Sequence, residues 1–215
     1  MERVYRPRED ILFEDRQAAG RALAAALRRR GVRCSVVLGL PRGGVPVACE
    51  VAAALGAPVD VLVVKKLRAP ISAELAIGAV CADGTRVLRR GLIRELGVSE
   101  AYLAREVRVR LREAREAEQA YRGGRPPLDL AGAAVVLVDD GMATGATMEA
   151  AVASARQRGA GSVLVAVPVA SPTAWEALHS VADALVCLAA PPEFWAVGQF
   201  YRHFPPVPDE EVRRL

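Results

Sequence analysis

The run Ala133-Ala134-Val135-Val136-Leu137-Val138 stops abruptly at two adjacent carboxylates, Asp139 and Asp140. Its length and β-branching suit a strand buried on both faces of a parallel sheet. A short loop follows, Gly141-Met142-Ala143-Thr144-Gly145-Ala146-Thr147, and Met148-Glu149-Ala150-Ala151-Val152 then opens an Ala-rich helical pattern. The order is strand, loop, helix, with all the unusual chemistry at the carboxyl end of the strand, where open α/β sheets bind their ligands.

The residue types there suit a sugar phosphate. A loop that leads into a helix presents unpaired backbone N–H groups and the positive end of the helix dipole, both of which favour phosphate. Gly141 and Gly145 let the backbone turn tightly and approach a ligand. Thr144 and Thr147 add hydroxyl donors, whereas Asp139 and Asp140, acceptor-only when ionised, repel phosphate and suit neighbouring sugar hydroxyls. An ordinary strand-to-helix turn with Thr144 as helix cap is the plainer alternative. It leaves unexplained two like charges side by side, whose repulsion needs a ligand, a cation or solvent. A turn facing the interior, with both acids locked to internal arginines, would exclude the ligand reading. Neither Gly-Lys-Ser/Thr nor Gly-x-Gly-x-x-Gly occurs, which argues against a nucleoside-triphosphate P-loop and a dinucleotide fold.

An apolar strand, two acids, three variable positions and Thr-Gly-x-Thr resemble the signature by which type I phosphoribosyltransferases bind 5-phosphoribosyl diphosphate (PRPP). The chain also resembles a bacterial group of phosphoribosyltransferase-domain proteins. That likeness runs through Leu40-Pro41-Arg42-Gly43-Gly44-Val45-Pro46-Val47-Ala48, Glu74-Leu75-Ala76-Ile77-Gly78-Ala79-Val80 and the motif at Asp139 to Thr147. The resemblance implies an α/β fold with a doubly wound, mostly parallel five-stranded sheet, strand order 3-2-1-4-5, a small hood and an enlarged lid. It makes Asp139 and Asp140 the catalytic candidates, holding the ribose 2′ and 3′ hydroxyls. It gives the 5′-phosphate to Ala143, Thr144, Gly145, Ala146 and Thr147. It implies transfer of a 5-phosphoribosyl group from PRPP to a nitrogen acceptor such as a nucleobase, with release of pyrophosphate. Mg2+ would come with PRPP, Asp139 and Asp140 being the protein donors on offer. One departure stands out: hypoxanthine-type members carry a carboxylate at the position of Ala143, so no general base is evident. Ala146 replaces a common loop glycine, a mild change if its φ stays negative. A sensor of PRPP or nucleotides that keeps this fold without turnover is the rival from another class. Transfer to a non-base amine or alcohol is a third reading.

Taken in order, the chain first shows a helical pattern over residues 18–30, ending at Gly31. Ser35 to Leu40 reads as a buried strand, followed by Pro41-Arg42-Gly43-Gly44 and an apolar helix from Val47 to Leu55. This second strand-loop-helix has an anion-friendly loop, with a forked guanidinium at Arg42 and exposed backbone N–H groups at Gly43 and Gly44. The resemblance assigns it the pyrophosphate; a Pro-Gly turn is the alternative. Val59 to Val64 is the next strand and leads into Lys65-Lys66, the only lysines of the chain. They are either further pyrophosphate contacts or a solvated strand end. Ala76 to Cys81 and Arg86 to Leu88 read as a hairpin, and Ser99 caps a charged helix that runs to about Tyr121 with an apolar stripe of Leu103, Val107, Leu111 and Ala114. Glu74 either reaches the site or lies on the surface. Ser162 to Val169 and Ala184 to Leu188 complete the strands, with a short helix from Pro172 between them. The tail carries Phe194, Trp195, Phe200, Tyr201 and Phe204 close together. It resembles the hood of purine phosphoribosyltransferases, which makes Phe194 or Trp195, with Val197 and Gly198, the base pocket. Aromatic packing alone is the alternative.

These elements make one domain over residues 1–215, with a core at about 32–66 and 131–188. The lid insertion covers about 67–130, and a hood runs from about 189, joined by the N-terminal helix. The formal charge of +4 is mild and does not single out nucleic acid. No apolar run reaches membrane length, and Met1 to Arg6 lacks the apolar core of a signal peptide. Cys34, Cys49, Cys81 and Cys187 are scattered without metal spacing, which suits buried thiols in a reducing cytoplasm. The expected assembly is a homodimer with no nucleic-acid or membrane partner.

Overall fold

A computed structural model describes residues 11–214, apart from the side chains of residues 73 and 74. The segment Met1 to Arg6 and the side chain of Glu74, both discussed above, lie outside the described residues. Five parallel strands form the main sheet: β1 (Val36–Gly39), β2 (Val59–Val61), β6 (Ala134–Val138), β7 (Ser162–Val169) and β8 (Ala184–Ala189). Three more, β3 (Val64–Ala69), β4 (Ser72–Cys81) and β5 (Arg86–Leu88), form a separate antiparallel sheet.

The main sheet is wound on both faces because its side chains alternate. Val36, Leu38, Val135, Leu137, Val163 and Val165 enter one core with Met148, Ala151 and Ala155 of α5 (Ala146–Gln157). Val37, Val136, Val138, Ala166 and Val186 enter the other, against Leu23 and Leu27 of α1 (Arg16–Arg29) and Val47 and Val51 of α2 (Gly44–Leu55). Apolar residues at both parities are what a strand buried on two faces requires.

The doubly wound parallel sheet matches expectation, but its order differs. It is β2-β1-β6-β7-β8, or 2-1-3-4-5 when its strands are counted along the chain, in place of 3-2-1-4-5. The sheet keeps its five strands, and the third along the chain, β6, lies between β1 and β7 and not at the edge beyond β2. The segment from Val59 to Val64 also departs from expectation. It does not continue as one strand: the ladder to β1 ends at Val61, and from Val64 the chain pairs antiparallel with β4. The antiparallel sheet packs one face on α5 through Ala79 and Cys81. The other face, with Leu67, Ile77 and Val80, is covered by Leu103, Val107 and Leu111 of α4 (Glu100–Arg122) and by α3 (Arg90–Glu95). Ser99 caps α4, accepting from Tyr102 N at 3.2 Å. Cys81 is buried and donates to the Ala150 carbonyl, and burial pushes its thiol up to about 12. The other three cysteines are only half-buried, unlike the expectation.

Arg122, at the end of α4, fastens this insertion to the main sheet. Its Nε donates to Asp60 Oδ1 at 2.9 Å, its Nη2 to the Val61 carbonyl at 2.9 Å, and its Nη1 lies 3.0 Å from Glu118 Oε2. The Arg122 and Asp60 side chains are 7% and 11% exposed, so removal of one partner strands a desolvated charge. Arg122→Met is expected to cost about 3–5 kcal/mol of unfolding free energy. Urea denaturation measures this, and a loss no larger than that of a surface pair would show the clamp to be dispensable.

Candidate functional site

The site is assembled where the carboxyl ends of β1 and β6 lie side by side. The two strands are in register from Val36 opposite Val135 to Gly39 opposite Val138, so the loops that follow them start at the same level. Leu40 N donates to the Val138 carbonyl at 2.9 Å, which holds the first loop against the end of β6. Gly44 then sits directly on that strand end. A Cβ at this position would lie 2.7 Å from the Val138 carbonyl oxygen and 2.8 Å from Asp139 Cα. At Gly43 a Cβ would overlap the Asp140 carboxylate. The two glycines are thus there for closeness, and they bring the first loop onto both acids. The Pro41–Arg42 peptide bond at the head of this loop is cis.

Asp139 Oδ1 accepts from the backbone N of Asp140 at 2.8 Å. Asp140 Oδ2 accepts from Arg16 Nε at 2.8 Å, and the two side chains are 13% and 11% exposed. The backbone carbonyl of Asp140 accepts from the Tyr201 hydroxyl at 2.6 Å. Burial, reinforced by the Asp140 charge, holds the Asp139 carboxyl well above the usual carboxylate range. Burial also raises Asp140, against the opposing hydrogen bond and charge of Arg16. Burial, then the Asp140 charge, pushes the Tyr201 hydroxyl up.

Beyond the acids the second loop is tied down at its start and open at its tip. Met142 N donates to the Val169 carbonyl at 2.9 Å, and Ser171 donates through its backbone N to Met142 and through its hydroxyl to the Ala143 carbonyl at 2.7 Å. Ala143 and Thr144 are exposed and Thr147 half-buried, while Gly145 and Ala146 are buried. Thr144 is not a helix cap. The N-cap of α5 is Gly145, at φ +74°, and it offers no side chain. Ala146 keeps a negative φ, as its side chain requires. The contrast with other helices is informative. Asp15, Ser99 and Ser171 cap α1, α4 and α6 (Pro172–Leu178) through their side chains. The two helices that begin at this site, α2 and α5, start on Gly43 and Gly145. At α5 no side chain caps the first-turn N–H groups, which face the second loop. At α2, Gly44 N and Val45 N already donate to the Leu40 and Arg42 carbonyls, and Pro46 has no N–H.

The remaining expected residues are more scattered. Arg42 is half exposed, with Nη1 3.6 Å from Asp209 Oδ1. Lys65 and Lys66 lie inside β3, not at the carboxyl end of a main-sheet strand; as neighbours on a strand they point to opposite faces. In the tail, Val197 packs against Gly141, where an added Cβ would come within 2.6 Å of Val197 Cγ1. Gly198 faces the Phe204 ring in the same way. Phe194 packs on Phe200 inside the hood, ring centroids 5.1 Å apart and tilted by 45°, and Trp195 is 81% exposed. The Gln199 side chain orders this turn, accepting from Trp195 N and Ala196 N and donating to the Glu193 carbonyl. Three contributors have no signal in the sequence: Arg16, Tyr201 and Ser171 reach the site only through tertiary packing. Asp139 and Asp140 supply hard oxygen donors of the kind Mg2+ prefers. Among the described residues there is no group of three His, Cys, Asp or Glu side chains that could hold a metal by itself.

The raised Asp139 has a consequence for stability. An acid that is harder to ionise when folded makes the folded state bind more protons than the unfolded one, so stability falls as pH rises from the ordinary carboxylate range through the folded value. Above that value the whole cost is present. Asp139→Asn keeps the acceptor for Asp140 N and removes the charge. It is expected to raise the Tm of the ligand-free protein at pH 7, with the gain disappearing near pH 3. Thermal melts across that range would refute the assignment if the gain were the same at both ends.

The chain is similar to known proteins. A family profile described as "Phosphoribosyl transferase domain" matches residues 13–204. Two relatives from Mycobacterium tuberculosis, strains CDC 1551 and H37Rv, are each 47% identical over 201 residues, 94% of this chain and 45% of each relative. Their names assign them provisionally to the phosphoribosyl transferases, and this chain spans a little under half their length. The crystal structure of TT1426 from Thermus thermophilus is similar with a TM-score of 0.81 and 46% identity, covering 95% of this chain and 97% of that one. A purine phosphoribosyltransferase from Pyrococcus horikoshii shares the fold at 20% identity and a TM-score of 0.50, covering 93% of this chain and 99% of that one. Match and motif fall on the same residues, with the acid pair and both glycine-capped helices inside the matched span: the chain belongs to the phosphoribosyl transferase domain family.

Proposed function

We propose that this protein transfers a 5-phosphoribosyl group from PRPP to a nitrogen acceptor, a nucleobase, and releases pyrophosphate in a Mg2+-dependent reaction. The observation that carries the reading is the contact of Gly43 and Gly44 with Asp140 and Asp139. It joins an acid pair suited to sugar hydroxyls to two anion-accepting loops, one on either side. A phosphorylated pentose with a diphosphate at C1 has that distribution of charge.

In this reading Asp139 and Asp140 accept hydrogen bonds from the ribose hydroxyls. Ala143 to Thr147 hold the 5′-phosphate through the backbone N–H groups at the start of α5 and the Thr144 and Thr147 hydroxyls. Arg42, Gly43 and Gly44 receive the leaving pyrophosphate, and only one of Lys65 and Lys66 can face it. Cleavage of the C1–O bond leaves a cation-like sugar, so the protein's task is positioning and charge stabilisation. Two carboxylates held near that sugar favour positive charge on it. Mg2+ supplies neutralisation of the diphosphate, with Asp139 and Asp140 available as protein donors. In this reading the acceptor lies under the hood, with Val197, packed on the residue after the acid pair, and the exposed Trp195 as the candidates to meet a flat base. Ala143 brings no carboxylate toward that base, which favours an acceptor able to lose its proton without a protein base.

Asp140→Asn removes a ribose contact and leaves both phosphate loops intact. Titration calorimetry is expected to show PRPP affinity falling by about tenfold or more, the size of a lost hydrogen bond to a charged group, with pyrophosphate affinity little changed. Equal losses for the two ligands would contradict the assignment. A screen of nucleobases with PRPP and Mg2+, read as pyrophosphate release, tests turnover. Tight PRPP binding without product from any base would make the protein a sensor and not an enzyme.

A further inference from the structure

Arg16 lies far from every motif in the chain, yet its guanidinium is fixed from three directions. Nε donates to Asp140 Oδ2 at 2.8 Å, Nη1 donates to the Pro205 carbonyl at 2.7 Å, and Cζ stands 3.7 Å from the centroid of the Phe204 ring. Its backbone is equally fixed. It is the first residue of α1, whose N-cap Asp15 accepts from Ala18 N at 2.7 Å. Helix α1 is itself anchored on α2 through Leu23 and Leu27.

We propose that Arg16 is a positioning residue for the phosphoribosyl site: it sets the orientation of the Asp140 carboxylate and links that carboxylate to the hood. The proposal rests on the reading of Asp140 as a ribose contact. The guanidinium takes Oδ2, which leaves Oδ1 as the oxygen to accept a sugar hydroxyl. Gly43 closes on Oδ2 as well: a Cβ there would overlap that oxygen and lie 3.2 Å from Arg16 Nε. The Tyr201 hydroxyl holds the Asp140 carbonyl from the hood. Side chain and backbone of one residue are thus gripped by the two ends of the chain.

A plain structural role would look different. The hood is already joined to the N-terminal segment without Arg16: Leu12 N and Phe13 N donate to the Phe200 carbonyl, and Arg202 N donates to that of Phe13. The ring of Phe204 and the Pro205 carbonyl would hold an arginine in place whether or not it met an acid. The third contact instead enters the acid pair, in a desolvated setting where a planar, forked donor fixes a carboxylate and a flexible ammonium does not. Arg16 hydrogen-bonds Asp140 and not Asp139, so it distinguishes two acids that are neighbours in the sequence.

A double-mutant cycle on PRPP binding tests this. Wild type, Arg16→Gln, Asp140→Asn and the double variant are titrated calorimetrically with PRPP plus Mg2+ and, separately, with pyrophosphate. Arg16→Gln is expected to weaken PRPP about tenfold in the wild-type background and to have almost no further effect in Asp140→Asn, as for residues that act through one another. Pyrophosphate affinity stays unchanged. Phe204→Leu, which takes away the stacking ring and leaves the ion pair, is expected to lower the Tm while PRPP affinity stays within about twofold. Equal losses from Arg16→Gln in both backgrounds would overturn the proposal, and so would a Phe204→Leu loss as large as that of Arg16→Gln. Arg16→Lys, which keeps the charge and loses the fork, carries the same cycle should Arg16→Gln fail to fold. A wild-type protein that binds no PRPP would refute the functional reading itself, an outcome distinct from an additive cycle.

Discussion

Two carboxylates at the closed end of a fully buried strand are the constraint to which the rest of this molecule answers. β6 lies between β1 and β7, with apolar cores on both faces. Its last side chains therefore emerge where water is scarce and where the strand gives them no counter-charge. Burial raises both acids, and at Asp139 the neighbouring charge of Asp140 adds to it. The chain relieves this unequally. Asp140 receives Arg16 on its side chain and Tyr201 on its carbonyl, while Asp139 accepts from a neighbouring backbone N–H. The acid held further above its ordinary range is the one that Arg16 does not grip, as the electrostatics demand. Among the described residues only one of the two acids is bound to an arginine, and the turn behind the pair keeps an exposed tip.

The same arrangement explains which helices are capped. A helix start leaves backbone donors unsatisfied, and this chain satisfies them with the side chains of Asp15, Ser99 and Ser171 at α1, α4 and α6. At α2 and α5 it uses glycine. At α5 this leaves backbone donors without a side-chain cap beside the acid pair, while those of α2 are taken by the Leu40 and Arg42 carbonyls. Closeness is the second use of glycine, since Gly43 and Gly44 let one loop rest on the acids of the other.

The insertion and the tail frame the site in different ways. α4 is stapled by Arg122 to Asp60 on the edge strand, and its Tyr121 hydroxyl donates to Asp209 at 2.7 Å. Asp209 in turn faces Arg42, so the insertion and the last helix meet beside the first loop. The hood is an aromatic cluster, Phe13, Phe194, Phe200, Tyr201 and Phe204, built from both ends of the chain. Its packing around Val169 and Ala19 seats it on the main sheet, within reach of the acids.

Much of this was legible in the residues. The apolar run into Asp139-Asp140, the Thr-Gly-Ala-Thr turn and the Gly43-Gly44 turn announce two strand-loop-helix units by local means: strand burial, turn chemistry and helix starts are short-range properties. Membership in the family follows from those same stretches. Other features were decided only in three dimensions. The segment from Val59 to Val64 carries no local mark of the point where it leaves the β1 ladder, at Val61, and joins β4, at Val64. Thr144 looks like a cap until the chain is seen to start α5 at Gly145. Lys65 and Lys66 look like a pair until the pleat sends them apart. Arg16 meets Asp140 across 124 positions and Pro205 across 189. No local pattern encodes a pairing of that kind, because the energy that selects it comes from desolvating an acid whose neighbours exist only once the sheet has formed.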